Sequence, residues 1–156
     1  MESVYLETSF TSYLVARPSR DLLVAAHQQT TQEWWHERRP EFDCYVSQVV
    51  IDEATMGDPD ESKKRMEVVD QLLVLEITSD AEELTRAILA AKIIPYKALG
   101  DAAHIAVAAV HSMDYLLTWN CKHLANAQIM RKMGSVCNDE GYSMPLICTA
   151  EELMGV

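Results

Sequence analysis

Acidic side chains stand where strand-like segments end or helix-like segments begin. Glu7 follows the first strand-like run, Glu53 lies two turns into the helix-like segment after the second, and Asp101 opens an Ala-rich helix-like segment. Asn120, an amide, follows the fourth strand-like run. Clustered carboxylates repel one another, and a hard divalent cation with oxygen ligands is the usual reason that they persist. These positions predict a divalent-cation site, while Asp101 as a plain N-cap and Glu53 as a solvated helix residue stay open.

Other chemistries that are common in α/β proteins are excluded by the residues themselves. The five glycines permit neither a GxGxxG dinucleotide loop nor a GxxxxGK[ST] phosphate loop. The chain has no GxSxG nucleophile elbow, no HExxH zinc motif and no CxxC pair. His104 and His111 share a helix face but lie roughly 10 Å apart, too far to bind one metal ion. We interpret both as ordinary histidines at the edge of the core or on the surface.

The distribution of charge is uneven. A net charge of −11 argues against a protein that coats nucleic acid non-specifically, since such proteins are basic overall. However, segments 8–20, 84–100 and 115–138 contain no Asp or Glu, and they hold eight of the 13 Lys and Arg residues. The acidic body therefore either carries a local basic surface or simply has scattered solvated charges.

Strand-like and helix-like segments alternate along the chain. Strands are predicted at 3–6, 44–46, 72–77, 115–118 and 146–148. Helices are predicted at about 20–38 with Ser19 as N-cap, from Ser47 to near Gly57, from Asp58-Pro59 onward, from Ser79 or Asp80 to about Lys92, at 101–113 and at about 123–133. This alternation implies parallel strands joined by right-handed crossovers. We expect an α/β fold, a three-layer α/β/α sandwich with a central, mostly parallel five-stranded sheet, in one domain spanning 1–156.

Several features bear on surroundings and partners. No apolar run reaches the length of a membrane span, and the N-terminus has no signal-like pattern, so a cytoplasmic location without membrane contact is expected. The four cysteines are expected to be reduced and mostly buried. The Trp34-Trp35 pair is either part of the core or part of an interface.

The order of the motifs resembles the PIN-domain family, a metal-dependent ribonuclease fold that includes the toxins of many bacterial toxin–antitoxin pairs. VYLETS resembles the opening strand that ends in an acid and Thr-Ser, and SQVVIDEATMGD resembles the Ser-capped helix that bears a Glu. ALGDAAHIAVAAVHSMDYLLTWN resembles the Asp-headed helix and the strand that ends in Thr-x-Asp, and TAEEL follows a closing short strand. Together these motifs cover nearly the whole chain.

The resemblance implies a site and its partners. Glu7 and Asp101 would be the main ligands of Mg²⁺ or Mn²⁺, and Glu53 would complete the site directly or through water. Asn120 would orient a metal-bound water, with Thr8 and Thr118 supporting the acids. RNA phosphates would be contacted by Arg17, Lys97 and Lys122, which are otherwise read as solvated charges. The resemblance also implies an RNA substrate, a small antitoxin protein and a homodimer.

Two positions depart from the family pattern. Glu7 stands where Asp is usual, which moves the carboxylate out by one methylene, and Asn120 stands where Asp is usual, which removes one negative charge. Three carboxylates remain, enough for a Mg²⁺ that keeps several waters. The sequence thus leaves two main hypotheses, a metal-dependent endoribonuclease or a catalytically weak PIN-fold module that binds protein or RNA. A phosphatase of another α/β class lacks its aspartyl nucleophile motif.

Overall fold

The computed structural model describes residues 1–156 and is built on a five-stranded sheet whose strands all run parallel. The strands are β1 (Ser3–Leu6), β2 (Asp43–Ser47), β3 (Leu73–Leu75), β4 (Tyr115–Leu117) and β5 (Leu146–Cys148). Their spatial order is β3-β2-β1-β4-β5. The predicted α/β class is confirmed, and the sheet is wholly rather than mostly parallel.

Seven α-helices connect the strands: α1 (Thr8–Val15), α2 (Leu22–Glu33), α3 (Gln48–Ala54), α4 (Pro59–Val69), α5 (Ser79–Ala90), α6 (Leu99–Val110) and α7 (Ala127–Asp139). One π-helical segment, Trp34–Arg38, extends α2, and 3₁₀ turns lie at Arg39–Glu41 and Tyr96–Ala98. Helix α1 packs against α2, α3 and α4, whereas α5 packs against α6 and α7. Right-handed crossovers place these two groups on opposite faces of the sheet. No helix combines the length and the apolar character needed to cross a membrane.

The core lies between the sheet and both helix layers. Helix α6 is buried along most of its circumference, as its Ala-rich sequence predicts, because small side chains allow close approach to the sheet and to α5. Trp34 is fully buried and donates its indole N–H to the Leu153 carbonyl at 3.1 Å. Trp35 is half-buried, with the Arg39 guanidinium 4.0 Å from its ring centroid. The core interpretation is therefore confirmed for Trp34.

All four cysteines are free thiols. Cys137 and Cys148 are buried, Cys44 is half-buried and Cys121 is exposed beside Asn120. The expectation of unpaired thiols agrees with the structure, and the expectation of burial holds for Cys137 and Cys148 and in part for Cys44.

The strand order reverses next to β1. From β1 the chain moves outward through β2 to β3, and it then returns to β4 on the other side of β1. Leu6 and Leu117, the last residues of β1 and β4, are register partners. Open α/β sheets bind ligands outside the carboxyl ends of the strands at such a reversal. Residues that follow Leu6 and Leu117 therefore stand at the expected place for a site.

Several predicted boundaries are wrong. Helix α1 was not predicted, because its hydroxyl and β-branched residues have modest helix propensity. Helix α2 begins at Leu22 with Asp21 as its N-cap, since the Asp21 carboxylate accepts from the Val24 N–H. Ser19 instead accepts a hydrogen bond from the Asp21 N–H. Strand β3 is also shorter than the predicted 72–77.

The later helices are shifted as well. The hydroxyl of Thr78, rather than Ser79 or Asp80, caps α5. Helix α6 begins at Leu99 because a 3₁₀ turn runs directly into it, so Gly100 lies inside the helix and Asp101 is not its N-cap. Helix α7 is capped by Asn126 and runs to Asp139, well beyond the predicted 123–133.

Candidate active site

Glu7 is the first residue after β1 and is almost fully buried, with 5% of its surface exposed. It is also the N-cap of α1, where its Oε2 accepts from the Ser9 N–H at 2.9 Å and from the Ser9 hydroxyl. The Thr118 hydroxyl, at the end of β4, donates to the same oxygen at 2.9 Å. The other oxygen, Oε1, accepts no hydrogen bond from the protein. Three donors thus hold one oxygen of Glu7 and leave the other free.

Glu53 reaches the same place from α3. Its Oε1 accepts from the Thr8 hydroxyl at 2.7 Å and lies 2.6 Å from His104 Nε2. Its Oε2 accepts no hydrogen bond and faces Gly100, where a Cβ would lie 3.0 Å away. A side chain at position 100 would therefore press on Glu53 and oblige its carboxylate to shift by a few tenths of an ångström.

His104 is fully buried and presents one ring nitrogen to both glutamates. Its Nε2 is 2.6 Å from Glu53 Oε1 and 4.0 Å from Glu7 Oε1, and its Nδ1 is 2.7 Å from the Tyr5 hydroxyl. The sequence-based interpretation of His104 as an ordinary histidine at the core edge or surface is wrong. The signal that could have identified it is its position three residues after Asp101, on the same face of α6.

The pKa values of His104 and Glu53 shift in opposite directions. Burial alone would lower the pKa of His104, but the hydrogen bond to Glu53 and the charges of Glu7, Glu53 and Asp101 raise it above its usual value. Burial would raise the pKa of Glu53, but the hydrogen bond and charge of His104 and the Thr8 hydroxyl lower it. The interaction therefore favours an imidazolium beside a carboxylate.

Asp101 forms a second hydrogen-bonded group with the loop after β4. Its Oδ1 accepts from the Asn120 side-chain amide at 3.0 Å, and its Oδ2 lies 2.9 Å from His123 Nδ1. Asn120 Oδ1 in turn accepts from the backbone N–H groups of Lys122 and His123 at 3.2 and 3.0 Å. These bonds fix the amide orientation, so that its N–H₂ faces Asp101. His123, three residues after Asn120, was not predicted as a site residue.

The structure thus brings the four predicted positions, Glu7, Glu53, Asp101 and Asn120, to one edge of the sheet. Both predicted supporting hydroxyls contact acids there, Thr8 on Glu53 and Thr118 on Glu7. No group of three or more Asp, Glu, His or Cys side chains is arranged to hold a metal ion directly. Instead, hydroxyl, amide and imidazole donors satisfy one or both oxygens of each carboxylate.

The three predicted RNA contacts, Arg17, Lys97 and Lys122, are all exposed. None of them forms a salt bridge, so their charges are available to a ligand. Lys122 lies in the Asn120 loop, and Lys97 lies in the 3₁₀ turn before α6. Arg17 lies just beyond α1 in a cavity that Asp58 and Glu61 also line, so its surroundings are partly acidic.

Neither a protein-family model nor a curated protein sequence matches the chain. Solved structures do match. VapC20 from Mycobacterium tuberculosis, described as a sarcin-ricin loop cleaving toxin, superposes with a TM-score of 0.60 at 18% identity, over 77% of this chain and 92% of its own. VapBC2 from Rickettsia felis, bound to a fragment of its promoter DNA, gives 0.61 at 12% identity, over 94% and 97%. DNA-bound VapBC from Salmonella typhimurium gives 0.56 at 14%, over 96% and 99%.

These matches confirm that the chain has the PIN-domain fold of the VapC toxins. At 12–18% identity they establish the fold alone. Any inference about activity, a bound cation or a partner must therefore be argued from the residues of this chain.

Proposed function

We propose that the chain is a metal-dependent endoribonuclease of the PIN fold and the toxin of a toxin–antitoxin pair. The observation that carries this proposal is the convergence of Glu7, Glu53, Asp101 and Asn120 at the sheet reversal, where hydrogen bonds hold each side chain. A PIN-fold neighbour is a toxin that cleaves the sarcin-ricin loop, which supports an RNA substrate.

The donor set fits a hard cation such as Mg²⁺ or Mn²⁺. Glu7 Oε1 and Glu53 Oε2 are carboxylate oxygens without a protein donor, and Mg²⁺ is typically bound through one or two carboxylates while it keeps several waters. We therefore assign Glu7 and Glu53, with Asp101, as the residues that would hold it. When bound, such an ion lowers the pKa of water and neutralises phosphate charge.

The remaining residues of the site would orient the carboxylates or contact the RNA phosphates. Asn120 and His123 fix the Asp101 carboxylate, and Thr118 fixes that of Glu7, so the acids face a bound phosphate without rearrangement. Lys122 and Lys97, together with Arg17, would contact phosphates on either side of the scissile bond. Without a cation the carboxylates repel RNA, which makes binding and cleavage depend on the ion.

One observation favours a second function, a PIN-fold module that binds protein or RNA without cleaving it. The Asn120 amide satisfies Asp101 directly, and no three acids or histidines converge on one ion. A module of this kind would keep the fold but would not bind a cation.

Cleavage of structured RNA separates the two functions. We expect hydrolysis with millimolar Mn²⁺ or Mg²⁺, none in EDTA, and none by Asp101→Asn, while the exposed control Asp139→Asn cleaves like the wild type. Undiminished cleavage in EDTA, or by Asp101→Asn, would contradict the site assignment. Absence of both cleavage and Mn²⁺ binding would support the binding module.

A partner is the second part of the proposal. Two structural neighbours are VapBC assemblies on DNA, and we propose that this chain likewise pairs with a small antitoxin and forms a homodimer in the cytoplasm. Co-expression with the product of an adjacent reading frame should yield a stable complex, and light scattering should give twice the 17.6 kDa mass for the chain alone. A monomer that does not bind the product of the adjacent reading frame would overturn this part of the proposal.

A further inference from the structure

A series of buried hydrogen bonds connects the N-cap of α3, Ser47, to Glu53 near the other end of the same helix. The Ser47 hydroxyl, which caps α3 by accepting from the Val49 N–H, is 2.7 Å from the Tyr5 hydroxyl. Tyr5 is 2.7 Å from His104 Nδ1, and His104 Nε2 is 2.6 Å from Glu53. This series therefore links β1, α6 and both ends of α3.

Three members of this series, Ser47, Tyr5 and His104, are fully buried. A buried polar group without a hydrogen-bond partner costs free energy. Each of these side chains is therefore held in the one position where it keeps its hydrogen bonds. The direction of these hydrogen bonds depends on the protonation state of His104. In the neutral form Ser47 donates to Tyr5 and Tyr5 donates to Nδ1, whereas in the charged form both directions reverse.

We propose that His104, held by Tyr5 and Ser47, is a positioning residue that fixes the Glu53 carboxylate beside Glu7 for cation binding. This inference rests on the proposed function. The hydrogen bond from Nε2 to Oε1 leaves Oε2 of Glu53 free, and Glu7 Oε1 lies 4.0 Å from the same nitrogen, so both glutamates lie at the Nε2 edge of the imidazole. Thr8 supports the same Oε1 from the start of α1.

The test is Mn²⁺ affinity, measured by electron paramagnetic resonance of the free ion, in Tyr5→Phe and His104→Gln. Tyr5→Phe keeps the buried ring and removes only the hydroxyl. Loss of groups that hold metal ligands typically weakens metal binding by about 10- to 100-fold, and we expect this range for His104→Gln and about tenfold for Tyr5→Phe.

Two matched controls carry the same substitutions away from the site. Tyr115→Phe removes a hydroxyl that donates to Glu2 at the opposite edge of the sheet. His111→Gln alters the other histidine of the helix segment, which lies 2.7 Å from the Glu76 carbonyl. Both controls should bind Mn²⁺ like the wild type. Thermal unfolding in EDTA shows that each variant folds, and a merely structural role would change the unfolding temperature without changing Mn²⁺ affinity.

The outcomes separate this inference from the function on which it rests. Weaker Mn²⁺ binding by folded Tyr5→Phe and His104→Gln, but not by the controls, supports it. Equal affinity of wild type and Tyr5→Phe overturns the positioning role and leaves the metal site intact. A wild type that binds no Mn²⁺ overturns the metal site and the positioning role together.

Discussion

Replacing Asn120 with aspartate would restore the fourth carboxylate of the PIN pattern at a contact that the structure defines. The Asn120 side-chain N–H₂ donates to Asp101 at 3.0 Å, while its Oδ1 accepts from two backbone N–H groups. An aspartate keeps the second set of bonds, because they need only an oxygen. It replaces the donor that faces Asp101 with an oxygen, so two carboxylates meet at a hydrogen-bonding distance.

The magnitude follows from the two ways in which the protein can respond. Two unit charges 3.0 Å apart repel by about 5.5 kcal/mol at an effective dielectric constant of 20. Protonating one aspartic acid near pH 7 costs about 4 kcal/mol and restores the hydrogen bond, which sets the ceiling. Side-chain rotation lowers the cost further, since Asp101 is 17% exposed. We expect destabilisation of about 3 kcal/mol, or about 6–12 °C in unfolding temperature.

The assay is thermal unfolding in EDTA and in Mn²⁺, with Asn126→Asp as the matched control. Asn126 is the N-cap of α7, where aspartate serves as well as asparagine, so the control makes the same charge change without a carboxylate neighbour. It gives up only an exposed hydrogen bond of 3.3 Å from its side-chain amide to the Lys122 carbonyl. In EDTA only Asn120→Asp should lose stability, and the loss should shrink toward pH 5. Mn²⁺ should restore it, because a cation between two carboxylates removes their repulsion.

Two results would refute this reasoning. If Asn120→Asp unfolds in EDTA at the wild-type temperature, the amide contact with Asp101 does not contribute to stability. If Mn²⁺ stabilises Asn120→Asp no more than the wild type, no cation binds between positions 101 and 120.

Three further predictions follow from single contacts. Gly100→Ala should lower RNA cleavage at least tenfold (about 1.4 kcal/mol in the barrier), because its Cβ would lie 3.0 Å from Glu53 Oε2, whereas Gly134→Ala, with 3.7 Å to its nearest neighbour, should cleave normally. The unfolding free energy in EDTA should fall as pH drops through the lowered pKa of Glu53, and it should fall again as pH rises through the raised pKa of His104. Denaturant unfolding measured at a series of pH values checks this, and His104→Gln should remove the loss of stability at high pH. Lys122→Gln should weaken RNA binding for all sequences and reduce the slope of log K against log salt by about one, and an unchanged slope in filter binding would remove Lys122 from the interface.

The sequence could predict the sheet and the acids because both depend on local patterns. Short apolar runs bounded by polar residues mark the strands, and parallel strands end at one edge, so an acid just after a strand is placed without knowledge of packing. Glu7 and Asn120 follow directly from this rule. Glu53 needed the additional step that Ser47 caps its helix, which the structure confirms.

The donors could not be predicted because they depend on tertiary packing. His104 lies in an Ala-rich helix, and only the approach of α6 to β1 and α3 places its two ring nitrogens against Tyr5 and Glu53. His123 meets Asp101 only because the Asn120 loop turns back toward α6. Sequence spacing shows which residues share a helix face, whereas it does not show which element that face meets.

The site's hydrogen bonds also constrain how a cation binds. Sites in which ligands are brought together only by the metal couple binding to folding, so that the apoprotein is unstable. Here Ser9 and Thr118 hold Glu7, His104 holds Glu53, and Asn120 holds Asp101 without an ion. The proposed cation would therefore meet side chains that the protein already holds in place. Its affinity should then fall when any of these donors is removed, as we predict for His104.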